Sequence, residues 1–115
     1  MNIVFYLSTC STCLRILKEL NLPDSFKLQD IKTEKITESQ IDFLAKKTGS
    51  YEAFFSRKAM KYRALGFRDK KLNENDYKKL ILEEYTFLKR PVIVINDAVF
   101  AGNSKAVVAE AKKKL

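Results

Sequence analysis

The sequence predicts an α/β fold, with a mixed four-stranded sheet flanked by helices and an inserted helical subdomain. Two strongly apolar runs with β-branched residues, Asn2 to Leu7 and Val92 to Ile95, lie near opposite ends of the chain. Residues 2–30 read as strand, helix and strand, which in about thirty residues is typical of a parallel βαβ unit. Between about residues 36 and 86 only helical patterns occur.

The first element is the run from Asn2 to Leu7, which predicts a strand buried on both faces. Residues 8–12 are small and polar, and they predict a loop that leads into a helix. One side of that helix is predicted to be apolar, formed by Leu14, Ile16, Leu17 and Leu20. After the stop at Pro23, a second strand is predicted in which Phe26 and Leu28 face inward and Asp30 follows.

The middle of the chain contains several helix signals. Thr37 and Gln40 form a capping box that opens a helix ending near Gly49. Residues 51–65 carry a helical pattern that breaks near Ser56 and Arg57. A further helix is predicted to begin at Asn73 or Asn75.

The C-terminal part predicts a hairpin followed by a helix. Val92 to Ile95 pairs with the short strand Val99 to Ala101 across a turn at residues 96–98. The last helix is predicted to bury Val107, Val108, Ala111 and Leu115. The whole order is that of a thioredoxin-like fold with a helical insert at about residues 36–86.

Length and composition restrict the classes of function. With 115 residues, 46% of them apolar, the chain predicts one folded domain rather than a disordered segment. Histidine is absent, which excludes a histidine general base and a histidine-ligated metal. The net charge of +8 favours anionic partners. We expect a cytoplasmic location, without a signal peptide or a membrane span, and no direct binding of nucleic acid.

Cys10 and Cys13 are the only cysteines and lie between the first predicted strand and helix. Amide groups at a helix start stabilise a thiolate, so we expect a lowered pKa for Cys10, with Cys13 one turn further on. A CxxC motif beside a βαβ pattern is typical of redox proteins. Two other readings are half of an intermolecular zinc site and a pair of inert core thiols.

Pro91 immediately precedes a predicted central strand. A cis-proline facing the CxxC motif is one interpretation, since this is where thioredoxin folds carry it. The other interpretation is an ordinary proline at the start of a strand.

Three segments together resemble the arsenate reductase (ArsC)/Spx family, in the right order along the whole chain. They are Tyr6-x-Ser8-x-Cys10-x-x-Cys13, Phe55-Ser56-Arg57-Lys58 before Leu65-Gly66, and Leu88-Lys89-Arg90-Pro91-Val92-Ile93-Val94 with Ala101-Gly102-Asn103. The resemblance implies a thioredoxin-like fold with an inserted helical subdomain.

The resemblance to glutaredoxin-linked arsenate reductases implies that Cys10 is the nucleophile and that arginines hold the oxyanion. Two of the family's three arginines correspond to Arg57 and Arg90. The third has no counterpart, because Asn103 and Ser104 follow Gly102. These reductases often lack a second motif cysteine, whereas Cys13 is present here.

Two other branches of the family are implied by the same residues. Spx-type regulators carry a CxxC motif, bind the C-terminal domain of the RNA polymerase α subunit and respond to disulfide formation. The remaining branch comprises glutathione- or thioredoxin-linked thiol reductases.

We therefore predict a thiol-disulfide oxidoreductase with Cys10 as nucleophile and Cys13 as resolving cysteine. A substrate or anion site is predicted, formed by Ser11, Thr12, Arg57, Arg90 and Pro91. No bound cofactor or metal is expected, and glutathione with glutaredoxin, or thioredoxin, is the expected reductant and partner. The alternative is an Spx-type regulator. The remaining basic residues between 58 and 71, which include Arg68, are interpreted mainly as a solvated helical face.

Overall fold

The computed structural model describes all 115 residues apart from the side chain of Arg68. Its strands are β1 Ile3–Tyr6, β2 Lys27–Asp30, β3 Val92–Ile95 and β4 Ala98–Ala101. Its α-helices are α1 Ser11–Leu20, α2 Glu38–Thr48, α3 Met60–Ala64, α4 Glu74–Glu83 and α5 Lys105–Lys113. Short 3₁₀ turns cover Glu52–Phe54, Phe67–Asp69 and Tyr85–Phe87.

The strands form one mixed sheet in the order β2-β1-β3-β4. β1 and β2 are parallel, and both β1–β3 and β3–β4 are antiparallel. The predicted βαβ unit and the C-terminal hairpin are therefore confirmed. Asn96 and Asp97 adopt positive φ angles of 48° and 69°, the backbone that a tight hairpin turn requires.

Two compact units make up the chain. The first comprises Met1–Lys35 and Arg90–Leu115, and the second is Ile36–Lys89. The expectation that they form a single domain stays a prediction.

In the first unit, α1 and α5 pack on one face of the sheet. The core there is a cluster of aliphatic side chains from β1, β3 and the two helices: Val4, Ile16, Leu20, Ile93, Ile95, Val108 and Ala111. All four residues of β3 are buried, as predicted for a central strand. This packing holds the start of α1 beside the end of β1.

The buried side of α1 differs from the prediction by one residue. Leu14 is 46% exposed, whereas Cys13, Ile16 and Leu20 are buried. The spacing of three and four between these residues and the half-buried Leu17 is that of a single helix face. The predicted face was wrong at Leu14 because a thiol, not a leucine, supplies its first apolar group.

Phe26 and Leu28 face as predicted, but Leu28 is not buried. Phe26 packs against the core cluster, and Leu28 pairs with Val4 of that cluster, which places it on the sheet face that carries α1 and α5. Leu28 is 49% exposed, and Gln29 is fully buried. The Gln29 side-chain amide donates to the carbonyl oxygens of Glu34 and Lys35, at 3.1 and 3.3 Å. These bonds satisfy the buried amide, so a polar residue is buried on the opposite face of this edge strand, where Gln29 pairs with Phe5.

The last helix is shorter than predicted. It ends at Lys113, and Leu115 is 48% exposed. Val108 and Ala111 are buried as predicted, and Val107 is half-buried.

The second unit begins with a confirmed capping box. The Thr37 hydroxyl accepts from the Gln40 amide at 3.1 Å, and the Gln40 side chain accepts from Thr37 N–H at 2.9 Å. Gly49 ends α2 with a φ of 83°, a conformation that favours glycine. Asn73 caps α4 through a similar box with Asp76.

Residues 51–65 contain much less helix than their pattern predicted. A 3₁₀ turn and the five-residue α3 flank an extended stretch, in which Ser56 N–H donates to Phe87 O at 2.6 Å. The buried Phe55 ring lies within 4.9–5.9 Å of the rings of Tyr62, Tyr77 and Phe87, measured between centroids. This aromatic cluster accounts for the apolar spacing that resembled a helix broken near Ser56 and Arg57.

Candidate active site

The turn between β1 and α1 places Cys10 at the start of a helix. Cys10 is the N-cap residue, with φ −96° and ψ 108°, and its carbonyl accepts from Leu14 N–H at 3.1 Å. Its own N–H donates to Leu7 O at 3.0 Å. Ser11 and Thr12 are the first two residues of α1, so the predicted loop over residues 8–12 ends earlier than expected. Their amide groups are among those that have no partner within the helix.

Cys10 is a partly exposed free thiol with a lowered pKa. Partial burial by itself would raise the pKa. The Cys13 N–H and thiol, and the Arg90 guanidinium by hydrogen bonding and charge, lower it by more. No side-chain capping hydrogen bond is formed, so the Cys13 amide acts on the sulfur as a nearby dipole.

Cys13 has the opposite electrostatic environment. It is fully buried, and that burial raises the pKa of its thiol to about 11. The Leu7 N–H and the Arg90 charge oppose the increase, and interaction with Cys10 adds to it. At neutral pH, the Cys13 thiol therefore keeps its proton and can donate a hydrogen bond to the more acidic Cys10 sulfur.

Arg90 and Pro91 belong to the same unit as the cysteines. The Arg90 guanidinium acts on Cys10, and its Nε atom is shut off from solvent. The peptide bond between Arg90 and Pro91 is cis, and Pro91 is buried. Its carbonyl accepts from Gly102 N–H at 2.9 Å. Cys10, Cys13 and Arg90 are thus together in one site.

Arg57 lies in the second unit, where it contacts side chains of the same unit. Its Nη2 donates to Glu52 Oε2 at 2.6 Å and to Tyr77 Oη at 2.9 Å. The guanidinium also lies 5.9 Å from the Phe55 ring centroid. Hydrogen bonding to Glu52 raises the pKa of Arg57, opposed by partial burial. Its predicted role toward Cys10 stays a prediction.

Asp30 lies near the cysteines, and sequence reasoning did not select it. Its two carboxylate oxygens accept from Ser8, which lies two residues before Cys10. The available signal was topological, because an acidic side chain at the carboxyl end of a strand parallel to β1 lies beside the loop after β1.

The segment after Gly102 contains no arginine. Ser104 there caps α5, accepting from Val107 N–H at 3.2 Å. Of the basic stretch over residues 57–71, the Arg68 side chain lies outside the described part of the structure.

Among the described residues, no group of three or more Cys, Asp or Glu side chains is arranged to hold a metal ion. Within the same residues, none of the helices is both long and apolar enough to span a membrane.

A comparison with family models gives a match over residues 5–111, to the ArsC family. The chain belongs to the ArsC family. No curated protein matches the sequence.

Solved structures resemble this ArsC-family chain over nearly its full length. A protein named as a possible arsenate reductase from Streptococcus mutans has 26% identity and a TM-score of 0.71, with 91% of this chain and 92% of that chain covered. An arsenate reductase from Vibrio cholerae has 16% identity and a TM-score of 0.79, with 99% and 97% covered.

An arsenate reductase (ArsC) related protein from Brucella melitensis has 20% identity and a TM-score of 0.71, with 99% of this chain and 95% of that chain covered. The likenesses at 16% and 20% identity show the fold alone. They agree with the thioredoxin-like, mixed four-stranded α/β architecture of the ArsC family, as predicted.

Proposed function

We propose that this chain is a thiol-disulfide oxidoreductase in which Cys10 is the nucleophile and Cys13 resolves the intermediate. The observation that carries the proposal is the opposite shift of the two pKa values within one helical turn, lowered at Cys10 and raised to about 11 at Cys13. Catalytic cysteines need a thiolate at the attacking position and a retained proton at the second.

With a disulfide substrate, the Cys10 thiolate attacks one sulfur and displaces the other as a thiolate, which takes up a proton. Cys13 then gives up its proton and attacks the Cys10 sulfur. The second substrate thiolate leaves, and a Cys10–Cys13 disulfide remains. Two electrons pass from the protein to the substrate, and a thiol reductant restores both cysteines.

With arsenate, Cys10 displaces an oxygen from arsenic and water leaves. Attack of Cys13 on the Cys10 sulfur then breaks the sulfur–arsenic bond. The bonding pair stays with arsenic, which is reduced from arsenic(V) to arsenic(III), and the two cysteines are oxidised to a disulfide. Membership of the ArsC family and likeness to a protein named as a possible arsenate reductase support this substrate.

The anion would be held mainly by Arg90, whose guanidinium already acts on the Cys10 sulfur. The amides of Ser11 and Thr12 at the start of α1 would add partial positive charge. Pro91 would form one wall of this anion site. Arg57 is a further candidate ligand, and it would have to give up part of its contact with Glu52.

The reductant would be glutathione with glutaredoxin, or thioredoxin. NADPH consumption should be measured in both coupled systems, once with arsenate and once with a glutathione mixed disulfide. We expect turnover with at least one pair, loss of it in Cys10→Ser, and a trapped mixed species in Cys13→Ser. Full activity of Cys10→Ser would contradict the proposal, as would an inactive wild type in all four assays.

A second candidate is an Spx-type regulator that binds the C-terminal domain of the RNA polymerase α subunit. Two observations favour it: Asn103 and Ser104 stand where a third arginine is expected, and Gly49 lies in an open loop where an added Cβ meets no atom within 4 Å. Pull-down of that domain by reduced and by oxidised protein tests it. Equal or absent capture in both states, together with reductase turnover, would exclude this candidate.

A further inference from the structure

A hydrogen-bonded contact joins the loop before Cys10 to the neighbouring strand. The Ser8 hydroxyl donates to Asp30 Oδ2 at 2.6 Å, and the Ser8 N–H donates to Asp30 Oδ1 at 3.3 Å. Both carboxylate oxygens are thus engaged by one residue, two positions before the cysteine. Such two-point contact restrains the direction of the loop as well as its position.

Asp30 is suited to this task by its place in the sheet. It is the last residue of β2 and pairs with Tyr6, the last residue of β1. Ile31 N–H donates to Tyr6 O at 2.9 Å, and Lys32 N–H donates to the Asp30 carboxylate at 3.2 Å. Asp30 is therefore fixed by the sheet, and its carboxylate holds the loop that follows β1 in place.

The loop, in turn, contacts both cysteines. Leu7, immediately before Ser8, accepts from Cys10 N–H at 3.0 Å through its carbonyl. The Leu7 N–H interacts with the Cys13 sulfur. A rotation of the peptides around Ser8 would displace Cys10 from the helix start. It would also disturb the contact between the Leu7 N–H and the Cys13 sulfur.

We propose that Asp30 is a positioning residue for the cysteine motif, holding the loop through Ser8 so that the Cys10 sulfur lies at the start of α1. This inference rests on the proposed function only in that the motif is redox-active. Asp30 does not touch the reacting sulfurs in this assignment and acts through Ser8 and Leu7.

The test is the rate of Cys10 alkylation by iodoacetamide as a function of pH, with Cys13→Ser as the background. Asp30→Ala and Ser8→Ala should each slow alkylation at neutral pH by about fivefold, since each removes the hydroxyl–carboxylate bond. Their effects should not add when the two changes are combined. Ser8→Thr, which keeps the hydroxyl, should restore the normal profile.

The matched control is Glu34→Gln, which removes another carboxylate nearby, one that pairs with Lys27 at 3.0 Å and does not contact the loop. It should leave the profile unchanged. Ser8→Ala covers the case in which Asp30→Ala fails to fold. Ser8 is exposed, and replacing it leaves the hydrogen bond from Lys32 N–H to the Asp30 carboxylate in place.

A second readout is the equilibrium of the Cys10–Cys13 disulfide with a glutathione redox buffer, in the two-cysteine protein. Unchanged alkylation and an unchanged equilibrium in both Asp30→Ala and Ser8→Ala would overturn the positioning role. Neither readout needs turnover, so a wild type with no reductase activity would defeat the proposed function and leave this test intact.

Discussion

Cys10 and Cys13 are one helical turn apart, yet only one of them reaches solvent. The difference follows from the helix: the N-cap position faces the loop and Arg90, and the position three residues later belongs to the face that packs inward. Burial disfavours the thiolate at Cys13, whereas amide dipoles and a guanidinium favour it at Cys10. The same residue type thus acquires two chemical roles.

The coupling between the two thiols can be tested directly. Replacing Cys10 by serine removes a negative charge beside Cys13, so the pKa of Cys13 should fall below about 11. Burial remains, so the pKa should stay above that of an exposed thiol. Ultraviolet absorbance of the thiolate, followed against pH, measures this. An unchanged midpoint would show that interaction with Cys10 contributes nothing.

At the scale of the element, β2 buries its glutamine more deeply than its leucine. Leu28 is exposed on this edge strand, whereas the fully buried Gln29 donates to the carbonyls of Glu34 and Lys35. The carbonyls of that turn need donors, and a leucine has none to offer.

Gln29→Leu should therefore destabilise the protein by about 1–3 kcal/mol, despite the greater hydrophobicity of leucine, since it leaves the Glu34 and Lys35 carbonyls without this donor. Urea denaturation of the reduced protein measures the change. The control is Leu28→Gln on the adjacent exposed position, expected to stay within about 0.5 kcal/mol of the wild type. A Gln29→Leu protein as stable as the wild type would contradict this account of β2.

At the scale of the whole molecule, Cys13 couples stability to pH. Its pKa is about 9.0 in an unfolded chain and about 11 in the folded one, so the folded state holds the proton more tightly. The stabilising effect is complete below pH 9 and is lost as the pH rises towards 11. The stability of the reduced wild type relative to Cys13→Ala should therefore decline over this range. A constant difference in urea denaturation across it would contradict the assignment.

The net charge of +8 also acts at this scale. Cys10 should react faster with the anionic disulfide of glutathione than with a neutral disulfide of similar reactivity, and added salt should reduce the ratio. Stopped-flow rates at several salt concentrations measure it. Arg90→Gln should lower the ratio further, whereas Lys105→Gln, on the exposed start of α5, serves as the control for net charge alone. A ratio independent of salt would exclude steering by charge.

The sequence determined the order of the elements, the parallel βαβ unit, the hairpin and the caps at Thr37 and Gly49. These depend on local signals, namely apolar periodicity, capping residues and turn residues, that act within a few positions along the chain. The position of Cys10 at a helix start could be predicted for the same reason.

Only the tertiary structure decided which neighbours complete the site. Three sets of contacts depend on how separate segments pack against one another: those of Ser8 with Asp30, of Arg90 with Cys10, and of Arg57 with Glu52 and Tyr77. Local periodicity does not encode this packing. The same holds for Gln29, buried because a turn supplies acceptors for its amide. Sequence patterns record which residues prefer burial, whereas the fold decides which polar groups find partners there.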